Sequence, residues 1–202
     1  MNVAATINEV TEEDRLRADL YNYLGVMLAA PPDQMLLDQT AGLSGDDTAL
    51  GKAINGLARV AKKSDPRAVR REFNALFIGL GRGELLPFAS YYLTGFLNEK
   101  PLANLRATMA DFGMTRAEDV FEPEDNIASL MEMMAGMIVG RFGRTASLEE
   151  QRRFFNEHIG TWAHHYFTDL QGAKSSVLYA SVGAVGAAFM EIEKEAFRMI
   201  AS

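Results

Sequence analysis

The apolar residues of this chain return every three or four positions over almost its whole length, and no stretch alternates as a half-buried strand would. That property confines the fold to the all-α class, a helical bundle. Its 202 residues suit one domain and can bury roughly 70% of the unfolded surface, so neither a metal nor a disulfide is needed as a staple. No internal repeat or heptad array is present.

Capping residues, prolines and glycines cut the pattern into helices. Thr11 followed by Asp14 reads as an N-terminal cap for a face of Leu16, Leu20, Tyr23, Leu24, Met27 and Leu28, which ends at Pro31-Pro32. Short helices are expected over 33–40 and 46–62. Asp65-Pro66 opens another through Val69, Phe73, Leu76 and Phe77, stopping within Gly79-Leu80-Gly81-Arg82-Gly83. Residues 84–98 are expected to be non-helical. Lys100-Pro101 starts a helix that ends at Gly113, residues 116–125 form an acidic connector, and Pro123 starts an apolar helix to about Phe142. Ser147 with Glu150 forms a capping box for a helix carrying Phe154, Phe155, His158, Trp162 and Phe167. In the last helix, 174–200, Ala180, Gly183, Ala184, Gly186 and Ala187 permit close approach of neighbours, which makes it the expected centre of the bundle.

The formal net charge is −7, and an acidic chain without a basic stripe is a poor partner for nucleic acid or an anionic membrane. There is no cysteine, which removes disulfides, thiolate zinc sites, iron–sulfur ligation and thiol nucleophiles together. Residues 1–17 do not follow a signal-peptide pattern, and the apolar run 177–190 is too short to span a bilayer. A cytoplasmic location is the expectation.

Enzyme signatures are missing. Gly79-x-Gly81-x-Gly83 has neither a preceding strand nor a following Lys-Ser/Thr, so it reads as a helix exit rather than a phosphate loop. His158, His164 and His165 lie on one expected helix, with His158 and His165 sharing a face with Trp162, but the positions three before them hold Phe155, Thr161 and Trp162, not the Glu of a di-iron helix. Packed or hydrogen-bonded histidines are the simpler reading. No Gly-x-Ser-x-Gly elbow occurs.

Three features point to binding instead. Glu118, Asp119, Glu122, Glu124 and Asp125 crowd the connector; acids in a first helical turn complement the helix dipole, but those before it have no such role. Met131, Met133, Met134 and Met137 follow; Met131 and Met134 fall on a core stripe with Ile127, Leu130 and Ile138, whereas Met133 and Met137 flank it as groove candidates. Finally, Leu86-Pro87-Phe88-Ala89-Ser90-Tyr91-Tyr92 and the following Leu93 and Phe96 concentrate aromatic surface on a loop, which either tucks into the bundle or receives an apolar partner.

These segments also carry a resemblance. Glu72-Phe-Asn-Ala-Leu-Phe-Ile-Gly79, Pro87-Phe-Ala-Ser-Tyr-Tyr92, Glu122-Pro-Glu-Asp-Asn126, and Phe155-x-x-His158-x-x-x-Trp162 followed by Phe167 resemble, in order, motifs of the TorD/DmsD/NarJ group of redox-enzyme maturation chaperones. Position 126 is Asn where the family pattern usually has His; Asn still accepts and donates hydrogen bonds, so a structural role survives the change. The resemblance implies a single TorD-like domain over residues 1–202 with a hinge at 114–125 between two helical halves. It implies a cytoplasmic chaperone, not an enzyme, with no cofactor and no metal. Its partners would be the twin-arginine leader and apo catalytic subunit of a molybdopterin-dependent oxidoreductase, held until cofactor insertion and before export. The protein would act without nucleic acid or membrane insertion, as a monomer or a domain-swapped dimer. The implied peptide site comprises Leu86, Pro87, Phe88, Tyr91, Tyr92, Glu122, Pro123, Glu124, Asp125, Asn126 and Trp162: carboxylates for two guanidiniums, aromatic residues for the apolar stretch, and Trp162 as either groove wall or core. The alternatives are an assembly factor for a non-exported nitrate-reductase-type subunit, and a helical ligand-binding protein.

Overall fold

The computed structural model describes residues 10–116 and 122–200. Ten α-helices account for most of them, and among the described residues the only strand-like pairing is one isolated antiparallel bridge. No helix among them is long and apolar enough to cross a membrane.

The helix starts follow the local caps. Thr11 accepts from the Asp14 N–H at the start of α1 (Glu12–Ala29), Asp33 caps α2 (Gln34–Ala41), Thr48 caps α3 (Ala49–Ala61), and Asp65 with Pro66 opens α4 (Pro66–Phe73). Helix α4 runs on as a wider π turn, Asn74–Ile78, closed by Gly79 at φ +62°. Helices α5 (Ala89–Thr94) and α6 (Lys100–Asp111) follow, then α7 (Ile127–Val139), which ends at Gly140. The Ser147/Glu150 capping box opens α8 (Leu148–Phe154), a second π turn spans Phe155–Ile159, and α9 (Ala163–Gly172) and α10 (Leu178–Ile200) complete the chain.

Helix α1 packs along α7, and α10 packs against both α9 and α3. One continuous core cluster takes in Tyr21, Leu24 and Met27, Leu130, Met131 and Met134, Trp162, Tyr166 and Phe167, and Val182 and Phe189, all buried, with the Tyr21 and Phe189 rings edge to face at 4.7 Å. Each such side chain contributes roughly 1.5–3 kcal/mol on leaving water. The small residues of α10 do what their pattern indicates. A Cβ on Gly186 would clash with the edge of the Phe167 ring, and one on Gly183 would lie 2.7 Å from the Phe167 carbonyl oxygen. Met137, expected to flank a groove, is instead buried in the core with Met134, because the face that α7 must bury is wider than its stripe.

A buried ionic network ties α10 to α1. Glu193, 1% exposed, receives Arg17 Nε at 2.9 Å and Nη2 at 2.8 Å on its two oxygens, and the Tyr21 hydroxyl donates to it at 3.0 Å. Desolvation alone would lower the Arg17 pKa, but the Glu193 carboxylate outweighs it and holds the guanidinium well above its ordinary value.

Three expectations are corrected. Residues 84–98 contain a helix, α5, whose cap comes from elsewhere in the chain. Helix α7 starts at Ile127, four residues after Pro123, because Asn126 provides the N-cap and 123–126 forms a turn with Asn126 N–H bonded to the Pro123 carbonyl. The single helix expected from Ser147 through Phe167 is broken at the π turn and at Gly160–Trp162.

Candidate functional site

The aromatic segment and the acidic motif are joined through their backbones. The Ala89 N–H donates to the Asp125 carbonyl at 2.9 Å and the Ile127 N–H to the Pro87 carbonyl at 2.8 Å, bridging Phe88 and Asn126. This short antiparallel pairing fixes two segments that are far apart in sequence as neighbours.

Each residue of the acidic motif then has its own task. Asp125, expected to offer its carboxylate to a guanidinium, is 1% exposed; its Oδ2 accepts the Ser90 N–H at 2.7 Å. The physical reason is the start of α5, where Phe88 supplies no side-chain cap, so a carboxylate from the opposite segment takes the free amide. Asp125 Oδ1 and the Ser90 hydroxyl, both buried, have no hydrogen-bond partner among the described residues. Asn126 is also buried: its Oδ1 accepts the Ala128 N–H at 2.9 Å as the cap of α7, and its Nδ2 donates to Glu122 Oε2 at 3.1 Å. Pro123 is half-buried within the turn. Glu122 is exposed. Glu124 receives Arg106 Nε at 3.1 Å and Nη2 at 2.8 Å, with Arg116 at 4.0 Å. Partial burial pushes its carboxyl up, but these arginines outweigh the burial and hold it below the ordinary range. Glu118 and Asp119 lie outside the described residues, as does the middle of the expected 114–125 hinge.

Beside the motif lies a pocket of about 260 Å³. Met109, Met114, Met133 and Phe142 supply its apolar surface, and Glu122, Glu124 and Glu132 line it together with Arg116 and Arg141. Met133 therefore takes the position its flanking place on α7 indicates. Arg106 and Arg116 were not singled out by sequence; their only signal is position, on α6 and just beyond it.

On the other side of the bridge, Leu86, Phe88, Tyr91 and Tyr92 are half-buried and Pro87 is buried. The Tyr91 hydroxyl accepts Arg82 Nη2 at 2.6 Å, with that guanidinium 5.1 Å from the ring centre. Tyr92 packs on Trp162 at 5.2 Å and donates its hydroxyl to Asp169 at 2.9 Å; burial first, and then that carboxylate, raises the phenol pKa. Trp162 is core, 1% exposed, with its indole N–H on the His158 carbonyl at 2.8 Å. His158 is buried with Nε2 2.9 Å from the Thr108 hydroxyl, and desolvation lowers its pKa. In the last turn of α5 Leu93 is exposed, and beyond it so are Phe96 and Leu97, Phe96 at 69%. The site thus runs from an acidic rim at Glu122, across half-buried aromatic residues, to an exposed apolar end. Among the described residues no group of three or more His, Asp or Glu is placed to hold a metal ion.

A family model described as "Nitrate reductase delta subunit" matches residues 44–168. Among curated proteins, the chaperone protein TorD of Vibrio atlanticus (strain LGP32) is 26% identical over 201 residues, covering 89% of this chain and 93% of its own. The chaperone protein TorD of Vibrio parahaemolyticus is 23% identical, covering 93% and 97%. Among solved structures, a protein assigned to redox enzyme maturation in Archaeoglobus fulgidus aligns with a TM-score of 0.52 at 20% identity, over 87% of this chain and 94% of its own. At that identity the likeness concerns the fold.

Proposed function

We propose that this chain, which belongs to the nitrate reductase delta subunit family and is a chaperone of molybdoenzyme maturation rather than an enzyme, works by seating the twin-arginine leader of its client on the surface around the 87–127 pairing. The observation that carries this is the bridge between Phe88 and Asn126, because it makes carboxylate and aromatic surface contiguous in the order such a leader needs. A leader presents two adjacent guanidiniums and then an apolar stretch. Glu122 is the exposed carboxylate and meets the first guanidinium. Glu124 already holds Arg106, so a second guanidinium must share or displace that partner. The apolar stretch lies along Leu86, Phe88, Tyr91 and Tyr92 and reaches the exposed Leu93 and Phe96. Pro87, Pro123, Asp125, Asn126 and Trp162 form the frame beneath rather than the contact surface. The whole of 1–202 acts as one cytoplasmic domain, as a monomer or as a dimer exchanged at 114–125.

The test is calorimetry with a synthetic twin-arginine leader. Glu122→Gln should weaken binding by about fivefold and flatten its salt dependence, since an exposed charge pair contributes on the order of 1 kcal/mol. Phe88→Ala should weaken it independently of salt. Unchanged affinity in both variants overturns the assignment. A second reading, an assembly factor for a non-exported subunit, is favoured by the description of the matching family model. A pull-down from the native cell extract separates the two: a molybdopterin-type catalytic subunit with its leader uncleaved supports the first, and one that carries no leader supports the second.

A further inference from the structure

The net charge of −7 hides a local charge of the opposite sign. Six of the 20 basic residues fall between positions 59 and 71: Arg59, Lys62 and Lys63 at the end of α3, and Arg67, Arg70 and Arg71 on α4. Arg67, Arg70 and Arg71 are spaced i, i+3, i+4 on α4 and so share one helical face, Lys62 caps α3 with Lys63 just after it, and all six are exposed. None forms an ion pair among the described residues, although most arginines elsewhere in the chain do. The two acids nearby are engaged elsewhere. Asp65 caps α4 through the Ala68 N–H at 2.9 Å, and Glu72 accepts the Val177, Leu178 and Tyr179 N–H groups at the start of α10 at 2.7, 3.2 and 2.8 Å.

A helix dipole accounts for only half of this. Cations at the C-terminal end of α3 are favoured, but Arg67 sits in the first turn of α4, where a cation is disfavoured, and Arg70 and Arg71 precede a further π turn. Like charges three and four apart oppose the helix that carries them. The shape adds a second observation. A hollow of about 380 Å³ takes in Arg59, Lys62 and Leu43, and another of about 470 Å³ takes in Lys63, Arg71 and Val177 together with the already bonded Asp65 and Glu72. Leu43 and Val177 are both solvent-exposed.

We infer that the 59–71 ridge is a docking surface for a carboxylate-rich segment of a partner protein, one that places an apolar side chain on either side of its acidic stretch. Charge complementarity selects an anionic occupant, and four arginines with forked donors suit carboxylates. Two concave hollows fit side chains better than a flat lipid surface. The ridge also presents no exposed aromatic residue to seat among headgroups. It shares no residue with the leader site, so the two assignments stand or fall separately.

The experiment uses the whole protein and three probes in parallel: a fluorescent peptide of Glu and Leu, phosphatidylglycerol vesicles, and heparin. The expected result is peptide binding that weakens steeply between about 50 mM and 500 mM salt. It should fall at least about tenfold when Arg67→Glu, Arg70→Glu and Arg71→Glu are combined, with leader affinity unchanged. Should that variant fail to fold by circular dichroism, Arg59→Gln with Lys62→Gln and Lys63→Gln takes its place and should lose several-fold. Binding to vesicles or heparin without the peptide overturns the proposal in favour of a membrane or polyanion surface. Absence of peptide binding, or peptide binding that the folded variants leave intact, also overturns it.

Discussion

Replacing Asp125 by alanine tests whether the acidic motif builds the site or only decorates it. Its carboxylate is 1% exposed and accepts the Ser90 N–H at 2.7 Å, at the start of a helix whose own residues supply no cap. Asp125→Ala leaves that buried N–H without a partner, a cost of about 1–3 kcal/mol, in line with the loss of an N-cap. Against this, Oδ1 has no partner, so the variant also removes a half-satisfied buried carboxylate and recovers part of its desolvation. A net loss of about 2 kcal/mol is expected, seen as a lower midpoint in urea at unchanged slope and a Tm lower by about 4–8 °C for a chain of this size. Asp125→Asn keeps an acceptor for Ser90 and should cost less than about 1 kcal/mol. Leader affinity should follow the same order, because Asp125 acts through the position of 87–92. If Asp125→Ala melts like the wild type while its leader affinity falls as far as that of Glu122→Gln, the carboxylate contacts the client directly and its role as the cap of α5 is refuted.

Glu193→Ala should destabilise by about 3 kcal/mol in urea, the low end for breaking a buried pair because Arg17 keeps some access to water. Gly186→Ala should cost about 1–3 kcal/mol, since its Cβ would clash with the Phe167 ring, whereas Ala180→Ser on the same helix should be nearly neutral; thermal melts of both decide it. Glu150, hydrogen-bonded by Arg144 and by the Ser147 backbone, has its pKa lowered from 4.5 to about 2. A depressed carboxyl contributes stability above its unfolded value and loses it as pH falls towards the folded one. Urea midpoints of Glu150→Gln should therefore differ from wild type above pH 4.5 and converge as the pH falls from 4.5 towards 2.

The helix starts written in a residue and its third neighbour were legible: Thr11, Asp33, Asp65 and the Ser147/Glu150 box each bond within four positions, so the sequence carries the complete interaction. Helix α5 was not, because its cap, Asp125, lies 35 residues away. Nor was the division of labour in the acidic motif. Glu122, Glu124 and Asp125 are equivalent as letters, yet one is exposed, one is held by Arg106 and one is sealed under Ser90. The stripe on α7 correctly placed Met133 beside a pocket but missed that Met137 is core, since a helix packed by α1 along its length buries more than one stripe.

Net charge misled for a related reason. Glu84 accepts the N–H groups of Lys174 and Ser175, Glu72 those of Val177, Leu178 and Tyr179, Asp125 that of Ser90, and Glu193 holds Arg17, so four acids counted in the total are engaged in the hydrogen bonds of the fold. The 59–71 cations form no ion pair among the described residues. The total stays acidic, but it is divided by face, with carboxylate beside the aromatic segment and guanidinium on the α3–α4 ridge. A partner meets one face within a Debye length of about 8 Å, not the sum. Acidic composition therefore weighs against a long polyanion wrapping the whole molecule, while one face still suits a basic leader and the other a short acidic segment.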